Sequence, residues 1–194
     1  MGRCVSEIII TRPQPGDICY DIPMLNLILC ALCATAGYDP VPGSSQTAVI
    51  TLEKGGVVEI ALYDDTPVTS GNFVRLATEG FYDGLTFHRV VPGFVAQGGD
   101  PLGTGFGEPG YFLPEEKSPG HHAVRGMVSM ARTGTSQPNV YGHTSGSQFF
   151  IMLGAAPRLD PNFCFFGIVT VGMDVVDKIA VGDKIKSITI KPTK

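Results

Sequence analysis

One arginine and one glutamine lie among apolar residues and glycines in the stretch FHRVVPGFVAQGGD, residues 87–100. Arg89 is inside a run that otherwise has the composition of a buried strand, and Gln97 comes directly before two glycines. A guanidinium in such a place either pairs with a carboxylate or donates to something that the protein binds. The first question is therefore which side chains accompany Arg89.

Period-two alternation places further polar and aromatic side chains where they can join Arg89. In SQFFIML, residues 147–153, one face carries Gln148, Phe150 and Met152, and the other carries Phe149, Ile151 and Leu153. The same rule pairs Val95 with Gln97, and Gly93 permits the bend that Phe94 needs to join them. If these residues converge, they form an apolar patch with a cation and two amides at its edge. The alternative is an arginine paired with a carboxylate and aromatic rings that belong to the core.

Other kinds of catalytic or metal site are poorly supported. The sequence has no G-x-S-x-G motif, and Cys164 sits in the apolar run FCFFG. His121 and His122 are adjacent in what reads as a loop, which favours solvated or locally bonded side chains over a metal pair. Cys30 and Cys33 have C-x-x-C spacing without a second pair nearby. The glycines of GGDPLGTGFGEPG match no phosphate-binding pattern. We therefore expect no metal and no cofactor.

Composition and periodicity predict a β-rich fold. The chain of 194 residues has 25 glycines and 15 prolines, and its net charge of −4 gives no reason to expect a nucleic-acid partner. A hairpin is predicted around Lys54-Gly55-Gly56, and a helix follows with Asp65 or Thr66 as N-cap and Gly80 as terminator. Further strands are predicted near residues 85–91, 94–98, 126–131, 147–153, 164–169 and 185–190, with a second helix around 173–180. This pattern predicts a closed eight-stranded antiparallel β-barrel capped by two α-helices.

The first 46 residues differ from the rest of the chain. Residues 24–36 form an apolar run that ends in a motif similar to a signal-peptidase site, but acidic residues precede it. Residues 37–46 have the composition of a linker. The sequence predicts an N-terminal extension over 1–46 and a folded domain over 47–194. We expect a cytoplasmic protein, and the alternative is export or anchoring to the cell envelope through residues 24–36.

Several long motifs resemble the cyclophilin family of peptidyl-prolyl cis-trans isomerases. These motifs are FHRVVPGFVAQGGD, GMVSMA, GSQFFI and FFGIV, and they occur in the order found in the family. The similarity extends over about residues 47–190, and short connections together with GDKIKSITI near the end are more similar to bacterial members. The resemblance implies an eight-stranded barrel with two helices and an enzyme that accelerates rotation about X-Pro bonds.

The resemblance also assigns roles to individual residues. Arg89 corresponds to the family's catalytic arginine, and we group Gln97 and Phe94 with it as catalytic. The implied substrate-binding residues are Val95, Ala131, Gln148, Phe150, Leu159 and Phe163, with His88 in a supporting role. Gln148 and Ala131 are expected to contact the peptide backbone. The residues expected to line the proline pocket are Phe94, Val95, Gln97, Phe150, Leu159 and Phe163.

Three departures from the family pattern affect ligand binding. Arg158 stands where many relatives have a tryptophan that favours cyclosporin, which implies reduced affinity for such ligands. Arg132 replaces a frequent asparagine, and the loop at residues 133–146 is longer than in compact members. The expected partners are proline-containing polypeptides, bound by a monomer that assists protein folding. The alternative function is a proline-binding module or chaperone with little turnover.

Overall fold

The computed structural model describes residues 46–118, 120–133 and 142–192. The predicted signal or anchor segment at 24–36, the linker and the C-x-x-C pair lie outside the described residues, as does most of the long loop at 133–146. Among the described residues, no helix is long and apolar enough to cross a membrane.

Nine strands and two α-helices make up the described domain. The strands are β1 (Gln46–Leu52), β2 (Val57–Leu62), β3 (Arg89–Val91), β4 (Val95–Gly98), β5 (Phe112–Leu113), β6 (Met127–Thr133), β7 (His143–Met152), β8 (Phe165–Val171) and β9 (Ile185–Pro192). The helices are α1 (Pro67–Thr78) and α2 (Met173–Val176), and a 3₁₀ helix spans Pro157–Leu159. The predicted hairpin is confirmed, because β1 and β2 pair antiparallel on either side of the predicted turn.

The strands form one antiparallel sheet in the order β3-β4-β7-β6-β8-β2-β1-β9, with β5 paired to β7. The prediction of a mainly β fold with two helices is confirmed, but the prediction of a closed eight-stranded barrel is wrong. The sheet is open and curled, with β3 and β9 as its edges in the described part of the chain. Within the described residues, the segments next to these edges are joined by one isolated bridge, Thr86 to Lys184, and by a few backbone hydrogen bonds from neighbouring residues instead of a continuous ladder.

Two hydrophobic clusters lie on the two faces of β7. Phe149 and Ile151 belong to the larger cluster, which also contains Phe73 and Leu76 of α1. Phe150 and Met152 belong to the smaller one. The alternation predicted for this strand is therefore confirmed, and the smaller cluster is the one that continues into the candidate site.

Both helices begin where the sequence predicts, and α1 ends just before Gly80, the predicted terminator, but the N-cap bonding of α1 and the end of α2 differ from the prediction. Thr66 is the N-cap of α1 and Pro67 follows it, yet the Thr66 side chain makes no capping hydrogen bond. α2 ends at Val176, and the predicted continuation to residue 180 is wrong. Its next turns tighten, because the amides of Lys178 and Ile179 bond carbonyls three residues earlier.

Candidate active site

The β3–β4 hairpin brings Arg89 beside Gln97. The two strands pair antiparallel with Arg89 opposite Gln97, and the turn between them uses Gly93 at a φ of 70°. At this positive φ a glycine avoids the clash that a Cβ would introduce. An Nη1 hydrogen of Arg89 is donated to Gln97 Oε1 at 3.2 Å. Arg89 is exposed, and none of the described carboxylates forms a salt bridge with it. The structure therefore contradicts the alternative in which a carboxylate neutralises Arg89.

The side chain of Gln97 is held in place by hydrogen bonds that pass through the buried amide of Gln148. Gln97 Nε2 donates to Gln148 Oε1 at 3.1 Å, and Gln148 Nε2 donates to the carbonyls of Gly105 at 3.2 Å and Gly107 at 2.8 Å. Gln148 is fully buried, so these contacts satisfy polar groups that cannot reach water. Arg89 is thus oriented by a chain of hydrogen bonds that starts in the backbone of a glycine-rich loop, residues 100–107.

The glycine-rich loop is itself held by Asp100. This buried carboxylate accepts hydrogen bonds from the backbone amides of Leu102 at 2.7 Å and Thr104 at 2.8 Å, and from that of Gly105. Burial alone raises the pKa of Asp100, but the backbone donors together hold that pKa below its ordinary value. A Cβ on Gly107 would lie 1.9 Å from Asp100 Oδ1, so the loop requires glycine at this position.

The apolar part of the site comes from β4, β7 and the segment around the 3₁₀ helix. Val95, Phe150 and Leu159 are each at most 5% exposed and belong to one hydrophobic cluster. The ring of Phe163 packs edge-to-face on Phe150, with centroids 5.6 Å apart and planes at 78°. Phe94 packs against the same cluster and is half-buried.

These side chains surround one cavity of about 270 Å³. Its walls are formed by Arg89, Phe94, Val95, Gln97, Ala131, Arg132, Phe150, Arg158, Leu159 and Phe163. The cavity therefore joins an apolar pocket to a guanidinium and an amide at its edge, as the alternation in the sequence predicts. Eight of the ten residues proposed from the sequence line it.

Gln148 and His88 are the two proposed residues that do not line the cavity. Gln148 lies behind Gln97 and supports it, so the expected contact with a peptide backbone is not available to its buried amide. Both ring nitrogens of His88 are buried without a hydrogen-bond partner among the described residues. Burial lowers the pKa of His88, the Asp100 carboxylate opposes this shift and Arg89 adds to it, so the surroundings favour the neutral ring. His88 precedes Arg89 in the chain and does not share its cavity.

Two further arginines line the cavity, and they differ in their contacts. The Arg132 guanidinium donates to the carbonyls of Gly142 at 2.9 Å and Asn162 at 3.0 Å, and it forms a salt bridge with Glu115. The Arg158 guanidinium is exposed and lies 4.8 Å from the centroid of the Phe94 ring. Arg132 thus ties together the wall of the cavity, whereas Arg158 faces solvent at its rim.

The two histidines and the cysteine considered for metal binding or nucleophilic catalysis are held in local structural contacts. His121 Nε2 lies 2.9 Å from Asp65, and its ring stacks on Tyr63 at 4.0 Å between centroids. His122 Nδ1 lies 2.8 Å from Asp160, so each histidine is locally bonded. Burial raises the pKa of Cys164 to about 12, which keeps this thiol protonated and unreactive.

The supporting role of the glycine-rich loop is the feature that sequence reasoning missed. The glycines of this loop read as turn residues without chemistry. The available signal was Asp100, because an aspartate followed by glycines and a threonine commonly accepts hydrogen bonds from the backbone amides that follow it. Nothing in the sequence indicates that the carbonyls of this loop point at Gln148.

Comparison with known proteins agrees with this geometry. Residues 47–194 match the family model described as cyclophilin type peptidyl-prolyl cis-trans isomerase. The chain is 43% identical over 148 residues to peptidyl-prolyl cis-trans isomerase B of Bacillus subtilis, covering 75% of this chain and 99% of that one. It is 46% identical over 145 residues to a peptidyl-prolyl cis-trans isomerase of Helicobacter pylori, covering 73% and 84%.

Solved structures show the same fold. A cyclophilin type peptidyl-prolyl cis-trans isomerase of Cryptosporidium parvum superposes with a TM-score of 0.66 at 29% identity, over 77% of this chain and 99% of that one. The structure of that protein in the presence of the dipeptide Ala-Pro gives a TM-score of 0.64 at 28% identity, over 76% and 99%. With an apolar cavity edged by Arg89 and Gln97, and with these matches over most of its length, the chain belongs to the cyclophilin type peptidyl-prolyl cis-trans isomerases.

Proposed function

We propose that the cavity binds the proline ring of an X-Pro segment and that Arg89 accelerates rotation about the preceding amide. The observation that supports this most directly is that Arg89 forms no salt bridge with a described carboxylate. Its guanidinium lies at the edge of an apolar cavity, is oriented by Gln97 and has no carboxylate partner among the described residues. Its remaining donors are free to interact with a substrate.

The reaction requires no nucleophile and no cofactor. An X-Pro amide resists rotation because the nitrogen lone pair is delocalised onto the carbonyl, which gives a barrier of about 18–20 kcal/mol. At the twisted transition state this delocalisation is lost and the lone pair is localised on nitrogen. A catalyst must therefore hold the ring and bind the twisted amide more tightly than the planar forms.

The residues of the cavity match these two requirements. Phe94, Val95, Phe150, Leu159 and Phe163 hold the ring by apolar burial. Arg89 donates to the prolyl nitrogen, and this contact strengthens as the lone pair localises. A 10⁵-fold acceleration corresponds to about 7 kcal/mol of preferential stabilisation. A single charged donor supplies part of that, and desolvation and a twisted bound conformation of the peptide supply the rest.

The proposed partners are proline-containing polypeptides, in keeping with the Ala-Pro dipeptide named for the Cryptosporidium parvum structure. We propose that a monomer acts on them during protein folding, without a nucleic-acid partner. Arg158 occupies the rim position where many cyclophilins have tryptophan, so its charge disfavours the apolar surface of cyclosporin-type ligands. Reduced cyclosporin affinity follows from this exchange.

The test of the proposal is the Arg89→Ala variant, measured by NMR exchange between the cis and trans forms of a short Ala-Pro peptide. Turnover should fall about 10²–10³-fold, as when a preorganised transition-state donor is removed. The dissociation constant of the peptide should change much less, because the contact is strongest in the twisted state. Lys191→Gln, on the opposite edge strand β9, is the remote control and should leave both quantities unchanged.

The rival function is a proline-binding module that retains the cavity but has little turnover. It predicts that the wild-type protein binds the peptide without accelerating exchange. Equal losses of turnover and affinity in Arg89→Ala would instead identify a structural arginine and contradict the proposed role.

A further inference from the structure

The arginines of the described domain differ in how their charges are balanced. Five arginines are described, and three form salt bridges: Arg75 with Glu79, Arg125 with Asp177, and Arg132 with Glu115. The two without a carboxylate partner among the described residues are Arg89 and Arg158. Both line the same cavity, so the unbalanced positive charge of the arginines is concentrated at its rim.

Both guanidinium groups also lie against one aromatic ring. The central carbon of Arg89 is 5.9 Å, and that of Arg158 is 4.8 Å, from the centroid of Phe94. A cation held over an aromatic face keeps its N–H groups directed outward in the plane of the guanidinium. This arrangement positions Arg158 in advance, which lowers the entropy cost of forming a hydrogen bond with a ligand.

Arg158 differs from Arg89 in having no hydrogen bond to any described residue. Arg89 donates to Gln97 and, under the proposed function, to the prolyl amide. Arg158 is the exposed middle residue of the 3₁₀ helix whose last residue, Leu159, is buried in the wall of the cavity. Its donors are thus uncommitted toward the described residues, and they lie next to the cavity that is proposed to hold the proline ring. The protein as a whole carries a net charge of −4, so a positive rim is a local feature and does not reflect overall composition.

We propose that Arg158 makes this isomerase prefer X-Pro segments with an aspartate or glutamate next to the proline. The carboxylate accepts a forked pair of hydrogen bonds from the guanidinium, a geometry that an amide of the same size cannot match. This inference rests on the proposed function and adds a substrate preference to it. Since Arg158 is exposed, the preference is modest: about two- to fivefold in kcat/KM at low salt, as for exposed ion pairs.

The experiment uses four peptides with blocked termini that differ at a single position. One pair has Glu or Gln directly before the proline, and the other pair has Glu or Gln directly after it. Cis–trans exchange is measured by NMR with the full-length protein, and binding of each peptide is titrated in parallel. The expected result is a faster reaction for the Glu member of at least one pair, and the advantage should shrink at about 0.5 M salt because ions screen exposed pairs.

Variants then assign the preference to Arg158. In Arg158→Gln the Glu-to-Gln ratio should fall to about one, whereas Arg158→Lys should keep part of it because a lysine retains charge without the fork. Lys191→Gln changes the net charge by the same amount at a distant strand, and it should leave the ratio unchanged. A ratio of one in the wild-type protein, or a ratio that persists in Arg158→Gln, overturns the inference.

The design separates this inference from the proposed function. Acceleration of all four peptides without a Glu advantage supports isomerase activity and refutes the preference. If the wild-type protein accelerates none of them, the proposed function fails. The binding titrations still test whether Arg158 favours a carboxylate next to the proline. Tighter binding of a Glu peptide that is lost in Arg158→Gln would support the charge preference of the cavity, and equal binding would overturn it.

Discussion

The orientation of Arg89 depends on the side-chain amide of Gln148, which is fully buried and does not line the cavity. Gln148 accepts from Gln97, which accepts from Arg89, and it donates to two carbonyls of the glycine-rich loop. This chain of hydrogen bonds restrains the orientation of the guanidinium, and under the proposed function this matters because a transition-state contact is sensitive to small displacements. On that proposal Gln148 is a positioning residue.

Replacing Gln148 by methionine tests this role at nearly constant volume. The variant leaves the Gly105 and Gly107 carbonyls and the Gln97 amide without their partner, which should cost about 1–3 kcal/mol in the free energy of unfolding. The kcat for an Ala-Pro peptide should fall more than the peptide affinity, because Arg89 loses its orientation while the apolar pocket remains. Urea denaturation and NMR exchange measure the two effects. A stability loss with unchanged kcat would show that the relay does not reach Arg89.

Asp100 gives the stability of the fold a predictable dependence on pH. Its folded-state pKa lies below the ordinary value, so its contribution to stability is full above the unfolded pKa of about 4 and is lost as the pH falls through the folded pKa. Asp100→Asn should lower the free energy of unfolding by about 1–3 kcal/mol at pH 7. The gap between wild type and variant should narrow only below about pH 4.

Urea titrations at a series of pH values from 7 to 3 measure this gap. Asp83→Asn, at an exposed aspartate after α1, is the matched control. Its free energy of unfolding, plotted against pH, should run nearly parallel to that of the wild type. Parallel curves for Asp100→Asn as well would contradict the role given to its backbone hydrogen bonds.

At the scale of elements, the sequence identifies segments better than the contacts that complete them. The alternating faces of β7 and the start of α1 at Thr66 and Pro67 are predicted from residues that are neighbours in the sequence. The structure confirms both predictions. The cap of α1 depends on a residue far along the chain, because Glu116 accepts from the amides of Val68 at 3.0 Å and Thr69 at 2.7 Å. No local pattern connects residue 116 with a helix that starts at residue 67.

Glu116→Gln should therefore weaken α1 without touching the cavity. The variant removes a negative charge from the positive end of the helix dipole and weakens two hydrogen bonds, at an expected cost of about 0.5–2 kcal/mol. Glu53→Gln removes the same charge at an exposed position in the β1–β2 turn and should cost at most about 0.5 kcal/mol. Free energies of unfolding from urea titration compare the two. Equal effects would show that Glu116 does not cap the helix.

At the scale of the whole molecule, sequence predicts the class of the sheet but not its closure. Strand composition and turns suffice for a mainly β fold, since they are local properties. Whether the two ends of a sheet join depends on hydrogen bonds between residues about 100 positions apart, such as those near Thr86 and Lys184. The strand predicted near residues 85–91 is present as β3, although it has only three residues, whereas the two residues of β5 are too few to show alternation and the sequence predicts no strand there.

The arrangement of cores and cavity leads to a prediction about the first 45 residues. Among the described residues, the members of the two hydrophobic clusters lie between residues 48 and 190 and those that line the cavity between 89 and 163, and the family match begins at residue 47. A chain that starts at Gln46 keeps all of β1, which pairs with both β2 and β9. We expect this shortened chain to unfold cooperatively with the same urea midpoint as the full-length protein, and to isomerise an Ala-Pro peptide with the same kcat/KM.

A shortened chain that starts at Ile50 is the matched control for that experiment. It loses the buried Ala48 and Val49 and four of the seven residues of β1, so part of the pairing with β2 and β9 disappears. Its stability should drop by several kcal/mol, since large losses follow when core residues and sheet hydrogen bonds are removed together. If the chain that starts at Gln46 is destabilised to a similar degree, the first 45 residues are part of the folding unit and the predicted domain boundary is wrong. If it stays folded but loses turnover, those residues contribute to the site, and the cavity described here is incomplete without them.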